Sequence, residues 1–287
     1  MTAQTTDQAA RVVEQPRKPF PWGKVVSYGI LVAFSLLYIG PLFMLINASF
    51  KPLADFFKDP TGLAASVNFD NYTKAWELAN FPRYLLNSAF YTAVATTVFV
   101  LTSVFVAFPI ARGIVKGSGA LLTLYVVAWF LPAALIPQFQ LILNIGLYNT
   151  RTGYILLFLV NAIGMIILVN YIKSIPRELD ESAAVDGCGY FRFVWSIVLP
   201  LIRPAVATVT VLHAIFIWNE LLVGSYLIQS QGLKTIPLAA GGLISAQRPI
   251  DWNVAATVGV VTIIPIFIFS LFAQRYIARG ITAGAVK

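Results

Sequence analysis

Residues 25–50 carry no acidic or basic side chain, and neither do residues 117–150. Runs this long and apolar constrain the fold more than any other feature of the chain. About 20 apolar residues in a helix cover the hydrocarbon core of a bilayer. Inside that core a helix satisfies its own backbone hydrogen bonds, which an open loop cannot do. The rest of the chain follows suit: 58% of its residues are hydrophobic and 11% charged, against roughly 25% charged in a water-soluble domain. The reading is an all-α membrane protein with six transmembrane helices over residues 25–48, 84–111, 120–136, 152–172, 204–228 and 252–273.

The connections are read from breakers and charge. Residues 1–24 hold Pro16, Pro19 and Pro21 among polar and basic residues and predict a disordered cytoplasmic tail. The apolar run after the tail is too long for a signal peptide and has no small-x-small cleavage site, so it predicts a retained anchor. Residues 49–83 are mixed and predict an external loop with a short helix around 72–78. Pro132 and Pro137 interrupt the third apolar stretch; a short amphipathic helix over 138–147 is expected after it, at the outer surface or folded back into protein. Residues 229–251, with Gly232, Pro237, Gly241, Gly242 and Pro249, predict a second external loop.

Six crossings put both termini on one side. With the N-terminal tail inside, the inner segments hold thirteen of the 20 lysines and arginines. The positive-inside rule therefore places both termini and the segment 174–203 in the cytoplasm. The net charge of +8 is spread over the ends of apolar stretches, so nucleic-acid binding is set aside. The single cysteine, Cys188, excludes an internal disulfide framework.

Segment 174–203 is the polar interruption. Pro176 precedes a breaker-free helix-forming stretch over 178–186, where a missing N–H does no harm. Gly187 can end that helix and turn the chain. A second amphipathic piece with Phe191, Phe193, Val194 and Ile197 follows, expected to stop at Pro200 and Pro204. The segment reads as helix, glycine elbow, helix, lying at the membrane surface.

The spacing of Glu181-Ser182-Ala183, Gly187 and Ile197 through Leu199-Pro200 resembles the EAA loop in the permease subunits of binding-protein-dependent ABC importers. Asp186 before Gly187 is similar to the carbohydrate-importer subset, and Ser182 stands where the pattern usually has Ala. Further likenesses are Asn71-Tyr72 through Asn87-Ser88, Trp218-Asn219-Glu220, and the C-terminal stretch from Gln274-Arg275-Tyr276 to Lys287, which resembles the smaller permease of the maltose importer. The resemblance covers 25–287 and implies a type I permease fold. It implies that Glu178, Glu181, Ser182, Ala183, Asp186, Gly187, Ile197, Leu199 and Pro200 dock on a cytoplasmic ATPase. It also implies that the C-terminal tail reaches that ATPase and that loop 229–251 approaches an extracytoplasmic solute-binding protein. A second homologous permease, two ATP-binding subunits and membrane lipid complete the expected partners, in the inner membrane.

The chain itself carries no phosphate-binding loop. Gly113-Ile114-Val115-Lys116-Gly117-Ser118 has the wrong order and spacing. ATP and magnesium are therefore expected on the partner ATPase, and this chain is expected to be no enzyme. One histidine and one cysteine make no metal cluster. His213 and Glu220 are seven residues apart and expected on one helix face; with Trp218 and Asn219 they could line the translocation path. Alternatively, His213 bonds a neighbouring helix and Glu220 sits at the outer interface. The resemblance implies a sugar or oligosaccharide as the solute, with glycerol phosphate or a polyamine as the alternative; an ion-coupled carrier would need charged pairs in mid-membrane, which are not seen.

Overall fold

The computed structural model describes residues 22–131, 134–246 and 251–285. Most of the tail 1–24, the proline at 132, Pro249 and the last two residues lie outside the described residues. Among the described residues every regular element is helical. The first four helices are α1 (Trp22–Ser49), α2 (Leu53–Lys58), α3 (Asp70–Ala79) and α4 (Phe81–Arg112). Then come α5 (Ser118–Phe130), α6 (Leu135–Asn144), α7 (Arg151–Leu157) and α8 (Ala162–Lys173). The elbow comprises α9 (Glu178–Val185), α10 (Tyr190–Phe193), a π turn over Val194–Val198 and α11 (Leu199–Leu201). The chain closes with α12 (Arg203–Trp218), α13 (Leu222–Leu227), a 3₁₀ turn over Gln231–Leu233, α14 (Ile236–Ala246) and α15 (Trp252–Ala285).

Two units divide between Met44 and Leu45. In the first, residues 22–44 form most of α1, with apolar side chains exposed around the whole helix. An apolar helix exposed on every side in water would be unstable, so its surroundings are lipid or protein.

The second unit is built on α4. Its 32 residues at roughly 1.5 Å each make a rod of about 48 Å, and α8, α12, α5, α7 and α14 pack along it. Near its start Phe81 and Tyr84 meet Ile236, Val254 and Val258. In the middle Tyr91 and Ala95 meet Ile142, Tyr154, Ile217 and Leu227. Toward its end Phe99, Val104 and Phe108 meet Leu168, Ile172, Val194 and Val209. Gly164 lets α8 approach closely, since a Cβ there would lie 2.8 Å from the Phe99 ring.

Four expectations are corrected. The fourth span is broken into α7 and α8, bent by 52°. At the break Asn161 caps α8, accepting from the Gly164 N–H (2.8 Å), while Thr150 caps the start of α7, accepting from the Gly153 N–H (3.0 Å). The fifth span, expected unbroken over 204–228, stops at Trp218 and restarts as α13. The described part of segment 229–251 is largely helical, because the apolar residues of α14 override its glycines. Pro200 does not end the elbow's second helix. A π turn, in which the Leu199 N–H bonds the Val194 carbonyl, shifts the hydrogen-bond ladder just ahead of the proline, and the run bends only after Leu201, by 83°. The helix expected over 72–78 and the one expected over 138–147 are present as α3 and α6, each with shifted ends.

Polar side chains stitch the ends of these helices. Asn87 donates to the carbonyls of Gly232 and Lys234, both at 3.0 Å, and Tyr91 donates to Leu233 at 3.0 Å. The Ser88 hydroxyl accepts from the Ile236 N–H at 3.0 Å. At the end of α1, Asn71 donates to the carbonyls of Ser49 and Lys51, while the fully buried Asn253 donates to Ala48 (3.0 Å) and Lys51 (2.7 Å). A buried carbonyl left without its donor costs about 1–3 kcal/mol. Asn87→Leu and Asn253→Leu are each expected to lower the melting temperature of the purified protein in detergent. Thr262→Val, whose hydroxyl bonds only its own helix at Val258, should melt like the parent. Equal melting of all three would contradict this account.

Candidate functional site

The elbow starts from helix chemistry. Glu178, Asp180 and Glu181 occupy the first turn of α9, where carboxylates favour the positive end of the helix dipole. At the other end the Gly187 N–H bonds Ala184 (3.1 Å) and the Cys188 N–H bonds Ala183 (2.9 Å). This crossed pair requires a left-handed residue after the cap, and Gly187 supplies it with φ +66°.

Two ties fix the elbow to α4. The Arg112 guanidinium, in the last turn of α4, grips Asp180 with Nε 2.6 Å from Oδ2 and Nη2 donating to Oδ1 at 3.1 Å. Its Nη1 donates to the Ile175 carbonyl at 3.0 Å, and the group lies 5.9 Å from the Phe108 ring. With the Arg112 side chain 6% and the Asp180 side chain 25% exposed, the pair is partly shielded from the screening that weakens surface bridges. On the second limb, the Tyr190 hydroxyl donates to the Phe105 carbonyl. Burial pushes the Tyr190 phenol above its ordinary pKa.

What is left exposed is a knuckle. Glu178, Glu181, Ser182, Asp186 and Gly187 face outward, Ala183 is buried against the core, and Ile197, Leu199 and Pro200 are half-buried. Val185 is 89% and Phe191 73% exposed, and Trp195 also projects. Apolar side chains this prominent are unusual on an otherwise polar projection. Of the apolar residues expected on one face of the second piece, Phe193 and Val194 point inward while Phe191 points out. The Arg112–Asp180 pair was not singled out from sequence, because its partners are 68 residues apart.

The second group of sequence candidates does not converge. His213 is buried, its ring 4.2 Å from that of Phe99. Neither ring nitrogen has a partner in strict hydrogen-bond geometry, and the Phe158 backbone is the polar group that acts on it. Glu220 is not on its helix face, because α12 ends at Trp218. The Asn219 side chain folds back to the Ile215 carbonyl (2.9 Å), and the Glu220 carboxylate accepts from the Val223 N–H (2.6 Å), capping α13. Trp218 alone of the four lines a groove, between α4, α12 and α15.

Residues 77–283 match the family described as binding-protein-dependent transport system inner membrane component. The chain belongs to that family. The resemblance drawn from the elbow motif is thereby borne out. Among this permease's relatives is a probable starch degradation products transport system permease of Thermoanaerobacterium thermosulfurigenes, 32% identical over 89% of this chain and 94% of the relative. Another is the melibiose/raffinose/stachyose import permease of Bacillus subtilis, 27% identical over 86% of this chain and 91% of that one. A solved bacterial ABC transporter for the acidic polysaccharide alginate shares the permease fold, with a TM-score of 0.80 at 23% identity over 90% of this chain and 99% of that one.

If Arg112 carries the permease's elbow, Arg112→Glu and Asp180→Arg should each cut ATP-dependent uptake by the assembled transporter at least tenfold. The double swap should recover most of it, because the pair is re-formed with reversed charge. Uptake equal to the parent in both single variants would remove the tie from the account.

Proposed function

We propose that this permease is one half of the membrane pore of an ATP-driven importer for a sugar or oligosaccharide. The observation that carries the coupling part is the elbow itself: an exposed apolar knuckle on a short helix pair, strapped to α4 at Arg112 and Tyr190. The names of the relatives, among them permeases for starch degradation products, melibiose and diacetylchitobiose, support the solute class.

In this reading the chain crosses the membrane six times with both termini in the cytoplasm. Trp22–Ser49, Phe81–Arg112 and Trp252–Gln274 are each long and apolar enough to cross alone. Three bent pairs supply the rest: α5 with α6, α7 with α8, and Tyr190–Leu201 with Arg203–Trp218. The 83° bend in the last pair suits a first limb lying along the surface and an α12 that crosses. Residues 1–24 are the cytoplasmic tail, 25–287 the permease domain, 174–203 the coupling loop and 229–251 the external segment facing the solute-binding protein.

The mechanism is alternating access. Two cytoplasmic subunits bind ATP and magnesium and close. The elbow, through Glu178, Glu181, Ser182, Ala183, Asp186, Gly187, Ile197, Leu199 and Pro200, rides in a groove on one of them. A short braced helix passes on a rigid-body displacement that a flexible loop would absorb. Arg112 hands that displacement to α4, and the bend at Ile202 hands it to α12.

The permease, tagged and purified in mild detergent, is expected to bring along an ATP-binding protein and a second permease. Rebuilt in vesicles with its receptor, the complex should accumulate an oligosaccharide only when ATP is supplied. Accumulation by this chain alone, with neither nucleotide nor companion subunits, would overturn the proposal.

A further inference from the structure

Arg83 lies in the first turn of α4 and Arg151 is the first residue of α7; both are exposed. Each is held in place by neutral groups. The Arg83 Nε donates to the Gly232 carbonyl at 3.1 Å, an acceptor it shares with the Asn87 amide. The Arg151 Nη2 donates to the oxygen of that same amide at 3.4 Å, and its guanidinium lies 5.4 Å from the centre of the Phe90 ring. The two guanidiniums thus flank one buried side chain, Asn87. Among the described residues neither forms an ion pair.

A guanidinium carries five N–H donors in a planar fork that fits phosphate and carboxylate oxygens. Both arginines keep donors to spare, so a pair of oriented cations stands without a counter-charge. The surface beside them selects the anion. Leu86, Phe90 and Leu101 are exposed and continue along the face of α4 that begins at Arg83. Because Phe81–Arg112 is long and apolar enough to cross a bilayer, this face runs from a charged end toward hydrocarbon depth. An acidic protein surface or a free anion would meet the arginines and leave the apolar stripe bare. A phosphodiester that carries an acyl chain meets both. A zwitterionic headgroup would bring an ammonium up to two cations, which favours a headgroup of net negative charge. We infer that Arg83 and Arg151 hold the phosphodiester of an anionic phospholipid whose acyl chain lies along Leu86, Phe90 and Leu101. The inference needs α4 to span the membrane and does not depend on the solute.

The test uses the assembled transporter in phosphatidylcholine vesicles with a trace of lipid bearing a diazirine on its acyl chain, either phosphatidylglycerol or phosphatidylcholine. Labelled peptides are mapped by mass spectrometry. In the parent, the phosphatidylglycerol probe is expected to label residues 86–101 roughly five- to tenfold more than the phosphatidylcholine probe. Arg83→Gln combined with Arg151→Gln should bring that ratio to about one. Lys116→Gln, which removes an exposed base just beyond the other end of α4, should leave it unchanged. Excess unlabelled phosphatidylglycerol should compete, and inorganic phosphate should not. Equal labelling by the two probes in the parent would overturn the site, and that reading does not depend on the double variant folding. So would a stretch that takes no label because a companion permease covers it. Displacement by inorganic phosphate would assign the arginines to a free anion, and displacement by the solute-binding protein would assign them to an acidic protein surface; either overturns the lipid site. Failure of the sugar reading would leave these labelling ratios unchanged.

Discussion

A backbone amide in a bilayer that finds neither a helical partner nor a side chain costs several kcal/mol. This chain interrupts its helices repeatedly, so its architecture depends on how each interruption is satisfied. A single polar residue does the work at most of them. Thr150 and Asn161 cap the restarted helices α7 and α8, Glu220 caps α13, and Asn149 accepts from the N–H groups of Gln229 and Ser230. Asn71 and Asn253 do the same for the carbonyls at the end of α1. These residues hold broken helices in place as defined pieces.

The elbow continues the same logic. Its first helix is closed by a glycine-dependent crossed hydrogen-bond pair and tied by Arg112, and its second by Tyr190. Both ties end on α4, the helix that also runs through all three packed clusters of the core. The exposed knuckle at Val185 and Phe191 is thus braced against the helix that runs through the core.

Much of this was legible in the sequence where the signal is local. The end of α4 shows as Arg112 before Gly113, and the elbow as Pro176, a helix-forming stretch and Gly187. The family likeness rested on fixed spacings in that same stretch. The breaks inside the fourth and fifth spans were not legible, because Asn161 and Glu220 are single polar residues in apolar runs whose capping role depends on the backbone they meet. The helix α14 was hidden by Gly241 and Gly242, which composition assigns to a loop and packing allows in a helix. Shared faces were misjudged for the same reason: His213 and Glu220 fall on one face only if α12 continues past Trp218.

The central claim is that the knuckle meets a nucleotide-driven partner. The most direct measurement replaces Val185 with cysteine in a Cys188→Ser background, leaving one thiol on the tip of the elbow. A short thiol-reactive photocrosslinker on that site, in native membranes, is predicted to join this chain to an ATP-binding subunit and to be reachable only from the cytoplasmic face. Labelling from the external face, or crosslinks that never include an ATP-binding chain, would contradict the account.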